Sequence, residues 1–125
     1  MCGIAGLYSY ETRIDRVELH KRGNDMTDAI SSRGPDARGV WQDPDLPLIL
    51  GHRRLSILDL SPLGAQPMES SSSRYMIVFN GEIYNFKNIK NEYLINNYNF
   101  KGNSDTEVLL ALIDLYGIQK TLNTF

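Results

Sequence analysis

Met1-Cys2-Gly3-Ile4-Ala5-Gly6-Leu7-Tyr8-Ser9 opens the chain. From Cys2 to Ser9 it reads as a mostly apolar strand, in which Gly3 and Gly6 permit close backbone approach. Loss of Met1, usual where the next side chain is small, leaves Cys2 with a thiol and a free α-amine on one residue. A thiol titrates near about 8.5 and an α-amine near about 7.7–8.0, so around neutral pH the amine can take the thiol proton. Nucleophile and general base then come from a single residue, as in enzymes with an N-terminal threonine. The competing reading is a small buried hydrophobe without chemistry. The remainder of the chain has to choose between them.

Working outward, Asp15 to Ser32 carries Val17, Leu19, Met26 and Ile30 among polar residues and predicts a helix, with Gly23 weakening its middle. Arg33-Gly34-Pro35-Asp36 ends it, since proline forbids continuation. Arg38 to Gln42 and Leu46 to His52 predict two short strands joined by the turn Asp43-Pro44-Asp45. Ser61 to Met68 is a loop with two prolines, and Glu69 to Ser73 a serine-rich surface connection. Arg74 to Phe79 predicts a strand leading directly into Asn80-Gly81. Phe86 to Tyr98 predicts a helix, and Ser104 to Tyr116 another, with Val108, Leu109, Leu112, Ile113 and Tyr116 at helical spacing. The pattern is mixed helix and antiparallel strand, without internal repeats.

Bulk properties narrow the function classes. With 125 residues, 42% of them hydrophobic and 22% charged, the chain has an ordinary globular composition and can bury a core. A net charge of −2 and a pI near 5.6 supply no basic stripe, so nucleic acid is not an expected partner. One cysteine excludes an internal disulfide and fits a reducing compartment. Ile4 to Leu7 is too short for a signal or membrane helix and lacks a basic flank. The expectation is therefore a cytoplasmic protein without membrane partners.

Taken singly, the polar candidates have structural explanations. Asn80-Gly81 is a common two-residue hairpin turn. Ser104-Asp105-Thr106-Glu107 fits a capping box, with Asp105 in the positive first turn. Arg53 and Arg54 suit a solvated strand end.

Together they have a different meaning. The opening Met1-Cys2-Gly3-Ile4 is followed by Arg33-Gly34-Pro35-Asp36, Gly51-His52-Arg53-Arg54-Leu55-Ser56-Ile57 and Gly64-Ala65-Gln66-Pro67-Met68. Phe79-Asn80-Gly81-Glu82-Ile83-Tyr84-Asn85 and Ser104-Asp105-Thr106-Glu107 complete the series. In this order the six motifs resemble the N-terminal glutaminase domain of the glutamine-hydrolysing asparagine synthetases. That domain is a class II glutamine amidotransferase of the N-terminal-nucleophile hydrolase fold. The resemblance implies an α+β sandwich of αββα layers with antiparallel sheets, formed by residues 1–125 as one partial domain.

The same resemblance implies the chemistry. Cys2 attacks the side-chain amide of L-glutamine, and the Asn80 side-chain amide with the Gly81 backbone N–H holds the oxyanion. Ammonia leaves, and the γ-glutamyl thioester is hydrolysed to glutamate. Arg54 matches the position that binds the substrate α-carboxylate, suited to a guanidinium fork. Glu82 and Asp105 match those that bind the α-ammonium. The backbone of Leu55, Ser56, Ile57 and Leu58 lines the pocket, and Arg33 and Asp36 organise loops. No cofactor or metal is expected for this domain; ATP and magnesium are implied only for a synthetase domain that uses the ammonia on aspartate or another carboxylate.

At Thr121-Leu122-Asn123-Thr124-Phe125 the sequence departs from the resemblance, which continues into a Gly-Met-Phe-Ala strand, and the expectation is a domain without its synthetase part. This predicts a domain incomplete at its C-terminal end, with Ile77, Phe79 and Leu109 turned to solvent or a partner chain and possible homo-oligomers. An alternative reading follows from it: an inactive relative that only binds glutamine or associates with a partner. Lipidation of Cys2 ranks last, because no polybasic patch accompanies it.

Overall fold

The computed structural model describes residues 2–10, 14–56, 61–94 and 96–124. Met1, Ile57 and Leu58, each given a role above, lie outside the described residues. The architecture is α+β with antiparallel pairing throughout. It divides into two compact units. One comprises the described residues of Met1–Ile57, Ala65–Pro67 and Val78–Asn80, the other those of Leu58–Gly64, Met68–Ile77 and Gly81–Phe125.

The first unit is a three-stranded sheet, β1 (Gly3–Tyr8), β2 (Ala37–Gln42) and β3 (Leu48–Arg54), in the order β1-β3-β2. The turn after β2 is tied by the Asp43 carboxylate, which accepts from Asp45 N (2.9 Å) and Leu46 N (2.7 Å). Side chains of β3 alternate between faces, as the pleat requires. Ile49, Gly51 and Arg53 meet helix α1 (Arg16–Ala29), while Leu48, Leu50, His52 and Arg54 face the other way.

Asp15 caps α1 by accepting from Val17 N at 3.2 Å. The helix lays Leu19, Gly23 and Thr27, spaced four apart, on the sheet. Gly23 has the opposite meaning from the one its propensity suggests. A Cβ there would sit 2.3 Å from Ile49 Cδ1, and one on Gly51 would sit 1.9 Å from Thr27 Oγ1. The two glycines let helix and sheet approach closely.

In the second unit the expected strand over Arg74–Phe79 shrinks to β5 (Met76–Ile77), paired with β4 (Met68–Glu69). The reason is where its backbone groups go. Ser70 N donates to Tyr75 O (2.9 Å) and closes the hairpin at one end, while at the other Phe79 N donates to the Gln66 side chain (2.6 Å) instead of to a neighbouring strand. Asn80-Gly81 is accordingly no hairpin turn; among the described residues, no strand follows it.

The helix expected over Phe86–Tyr98 is α2 (Phe86–Ile89) continued by a π-helical turn, Lys90–Leu94. Asn91, Asn96 and Asn97, poor helix formers whose side chains compete for the backbone, explain the early end. Helix α3 (Asp105–Tyr116) matches its expected bounds and starts at the Ser104 cap. It ends where Gly117 takes φ 82°, and a short α4 (Ile118–Leu122), not foreseen from sequence, follows. The core of this unit joins Ile89 with Val108, Ala111 and Leu112, flanked by Phe86, Tyr98 and Phe100. Ile77, Phe79 and Leu109 are half-buried.

Candidate active site

Cys2 is half-buried and immediately precedes β1. Gly3 pairs with Arg53, so the register extended by one residue sets Cys2 opposite Arg54. The thiol is bound to both main-chain groups of one residue: Leu55 N donates to Cys2 Sγ at 3.3 Å, and Sγ donates to Leu55 O at 3.6 Å. A flexible side chain is thereby fixed beside the end of the strand that carries Arg54.

The two arginines separate cleanly. Arg53 turns to α1, where it donates to Thr27 O at 3.0 Å and pairs with Asp28, as does Arg38. It is a packing residue that covers a helix C-terminus. Arg54 is buried on the opposite face, 9% exposed, on the Cys2 side of the sheet. The pleat alone separates the two: Arg54, expected to meet substrate, and Arg53 lie on opposite faces.

The Arg33-Gly34-Pro35-Asp36 motif is explained by its contacts with the same segment. A Cβ on Gly34 would lie 2.4 Å from the Arg53 carbonyl and 2.6 Å from Arg54 N, so only glycine lets the loop cross the end of β3. Beyond it, Asp36 N donates to Arg54 O at 3.0 Å, and the Asp36 carboxylate accepts from Ser56 N at 2.7 Å. The Leu55-Ser56 backbone is thus held by the Cys2 sulfur at Leu55 N and O and by Asp36 at Ser56 N. Asp36 organises a loop, as read from sequence.

Gln66, Phe79 and Asn80 also belong to the first unit, and the Gln66 main chain lies over Gly39 on the Cys2 face of the sheet. His52, which the sequence reading quoted inside a motif without giving it a role, is 1% exposed there. Burial lowers its pKa; a hydrogen bond to the Phe79 backbone opposes the shift and the charge of Arg54 adds to it. The ring is therefore neutral near pH 7, and its Nε2 is buried without a hydrogen-bond partner.

Gly81, Glu82 and Asp105 belong to the second unit. Gly81 and Glu82 are exposed, as is Asn80 before them. Asp105 is 7% exposed and ties two backbone segments: Oδ2 accepts from Ile83 N at 2.9 Å, Oδ1 from Thr106 N at 2.8 Å. Oδ1 also accepts from the Thr106 hydroxyl at 3.4 Å. Ser104 caps α3 through Glu107 N (3.2 Å), but Glu107 does not complete a capping box; its carboxylate accepts from Lys101 N and Gly102 N at 2.8 and 2.9 Å. The box pattern in the sequence thus marks a cap and, separately, a brace for the preceding turn.

Among the described residues, no cluster of three or more His, Cys, Asp or Glu side chains is arranged to hold a metal ion. No helix of the described residues is long and apolar enough to cross a membrane.

Comparison with known proteins gives this geometry its context. Residues 1–125 match the family described as the glutamine amidotransferase domain. The chain is 37% identical over 125 residues to the amidase chry2 of Gibberella zeae, covering 94% of this chain and 18% of that protein. It is 39% identical over 112 residues to asparagine synthetase B (glutamine-hydrolyzing) of Escherichia coli, covering 90% and 19%. It is 41% identical over 114 residues to asparagine synthetase (glutamine-hydrolyzing) 1 of Bacillus subtilis, covering 89% and 17%. The chain spans about a fifth of the length of these relatives or slightly less.

Proposed function

The chain belongs to the glutamine amidotransferase domain family, and on that premise we propose that it hydrolyses the side-chain amide of L-glutamine with Cys2 as the nucleophile. The ammonia released serves an ATP-dependent synthetase domain or partner chain of the kind that glutamine-hydrolysing asparagine synthetases carry. The observation that best supports this reading is the double tie of the Cys2 thiol to the Leu55 main chain, opposite Arg54 at the end of β3.

The steps follow from the groups available. With Met1 removed, the Cys2 α-amine takes the thiol proton and Sγ attacks the amide carbon of glutamine. Charge that collects on the amide oxygen is met by the Asn80 side-chain N–H and the Gly81 backbone N–H. Loss of one such donor typically raises the barrier by about 2.7–4 kcal/mol. The protonated α-amine returns its proton to the leaving nitrogen, the C–N bond breaks, and ammonia departs. A γ-glutamyl thioester remains. Water then attacks it, with the same amine as base, releasing glutamate and restoring the thiol.

Substrate recognition divides by charge. The Arg54 guanidinium takes the α-carboxylate as a fork. Glu82 and Asp105 take the α-ammonium, and the Leu55-Ser56 backbone, continuing through Ile57 and Leu58, flanks the substrate chain. Glutamate release by the purified protein tests the reading. Cys2→Ala is expected to abolish release while the melting transition persists, because a methyl group cannot form the thioester; release that survives in Cys2→Ala would refute it.

A further inference from the structure

Phe79 immediately precedes the Asn80-Gly81 pair, and its main chain is not held by a strand. Strand β5 stops at Ile77. Two side chains bind Phe79 instead. Its N–H donates to Gln66 Oε1 at 2.6 Å, and the ring of His52 hydrogen-bonds its backbone. That bond favours the charged ring, so the ring N–H donates and the Phe79 carbonyl accepts. The two clamping residues are themselves fixed. His52 is fully buried within β3, between Ile4 of β1 and Gly39 of β2. The Gln66 main chain passes over the same face, its backbone carbonyl oxygen only 2.0 Å from where a Cβ on Gly39 would sit.

We propose that His52 and Gln66 are positioning residues that set the Asn80-Gly81 donors through the Phe79 peptide. The inference rests on the assignment of those donors to the oxyanion. Consecutive Cα atoms are a fixed ~3.8 Å apart, so a displacement of the Phe79 peptide passes directly to Asn80. Oxyanion donors must lie within about 2.7–3.1 Å of the developing charge, and a misplacement of ~1 Å costs on the order of a hundredfold in rate. His52 uses one ring nitrogen for the clamp and none for proton transfer. Its place beside Arg54 in the strand reflects this geometric duty rather than acid–base catalysis.

The test compares His52→Leu and Gln66→Met, which keep bulk but remove one clamp bond each, with His52→Asn, whose amide NH₂ can replace the ring N–H. Glutaminase kinetics are measured together with the rate at which iodoacetamide alkylates Cys2, a reaction that needs no oxyanion hole. The expected result is a fall in kcat of about tenfold or more for Leu and Met, with KM within about twofold, an unchanged alkylation rate, and substantial recovery in His52→Asn. Unchanged kcat in both variants would overturn the proposal. So would a parallel change in kcat, KM and alkylation rate, the pattern of a merely loosened fold. If His52→Leu does not fold, Gln66→Met decides alone. A parent protein that alkylates normally but releases no glutamate would defeat the glutaminase reading itself, and this inference with it.

Discussion

Arg53 and Arg54 are sequence neighbours with unlike surroundings, because a strand sends consecutive side chains to opposite faces. Arg54→Ala is expected to weaken glutamine binding more than tenfold, since a charge-assisted, largely desolvated pair is worth about 1.5–3 kcal/mol. Arg53→Ala should leave glutamine affinity within about twofold and cost about 1 kcal/mol of stability, discounted because its partner Asp28 is exposed. Isothermal titration and thermal melting separate the two; equal losses of affinity would show that the faces are misassigned. His52 contributes a second expectation at this scale. Its folded pKa lies below the ordinary imidazole value, so the unfolded chain binds more protons between the two values. Stability is then full above about pH 6.5 and falls as pH drops through that point toward the folded pKa. Melting temperature measured from pH 7.5 to 5 should decline more steeply in the parent than in His52→Asn. Parallel curves would mean that His52 is not the group responsible.

Glycines at the crossings between elements govern how closely these elements pack. Gly23→Ala gains about 1 kcal/mol of helix propensity but drives a methyl into Ile49, itself 1% exposed, and overpacking costs about 1–3 kcal/mol. The net expectation is a modest loss. Gly34→Ala meets rigid backbone at Arg53 and Arg54 rather than a side chain. It should destabilise more than Gly23→Ala and also raise KM for glutamine by shifting Arg54; denaturant melts with glutaminase kinetics check both, and a neutral Gly34→Ala would contradict the contact. These crossings also mark the limit of what the chain discloses before its structure is known. β1, β2, β3, α1 and α3 were legible because caps, turns and periodicity are local signals. The Arg74–Phe79 strand was not, because a strand requires a partner, and here Gln66 and the Ser70 turn take the backbone groups it would have offered. Gly23 was misread for the same reason: propensity describes an isolated helix, while its role depends on Ile49, 26 residues away in sequence. Cys2, Arg54 and Asp36, which meet at the end of β3, were legible from ordered motifs. The duty inferred for His52 and Gln66 could not, since it runs through a main-chain hydrogen bond to Phe79.

At the scale of the molecule, the chain is a glutamine amidotransferase domain, and its relatives join such a region to much longer polypeptides. In the proposed division of labour this part liberates ammonia and a synthetase part consumes it, so the acceptor is set elsewhere. Everything proposed for this part depends on one atom pair, the Cys2 sulfur and its own α-amine. Intact-mass spectrometry of the natively expressed protein, before and after reaction with a diazoketone analogue of glutamine, measures both atoms together. The expected spectrum is a chain beginning at Cys2 that gains one label, located at Cys2 by fragmentation, with loss of glutamate release in step with labelling. A chain that retains Met1 and still hydrolyses glutamine, or that takes the label equally well as Cys2→Ala, would contradict the account.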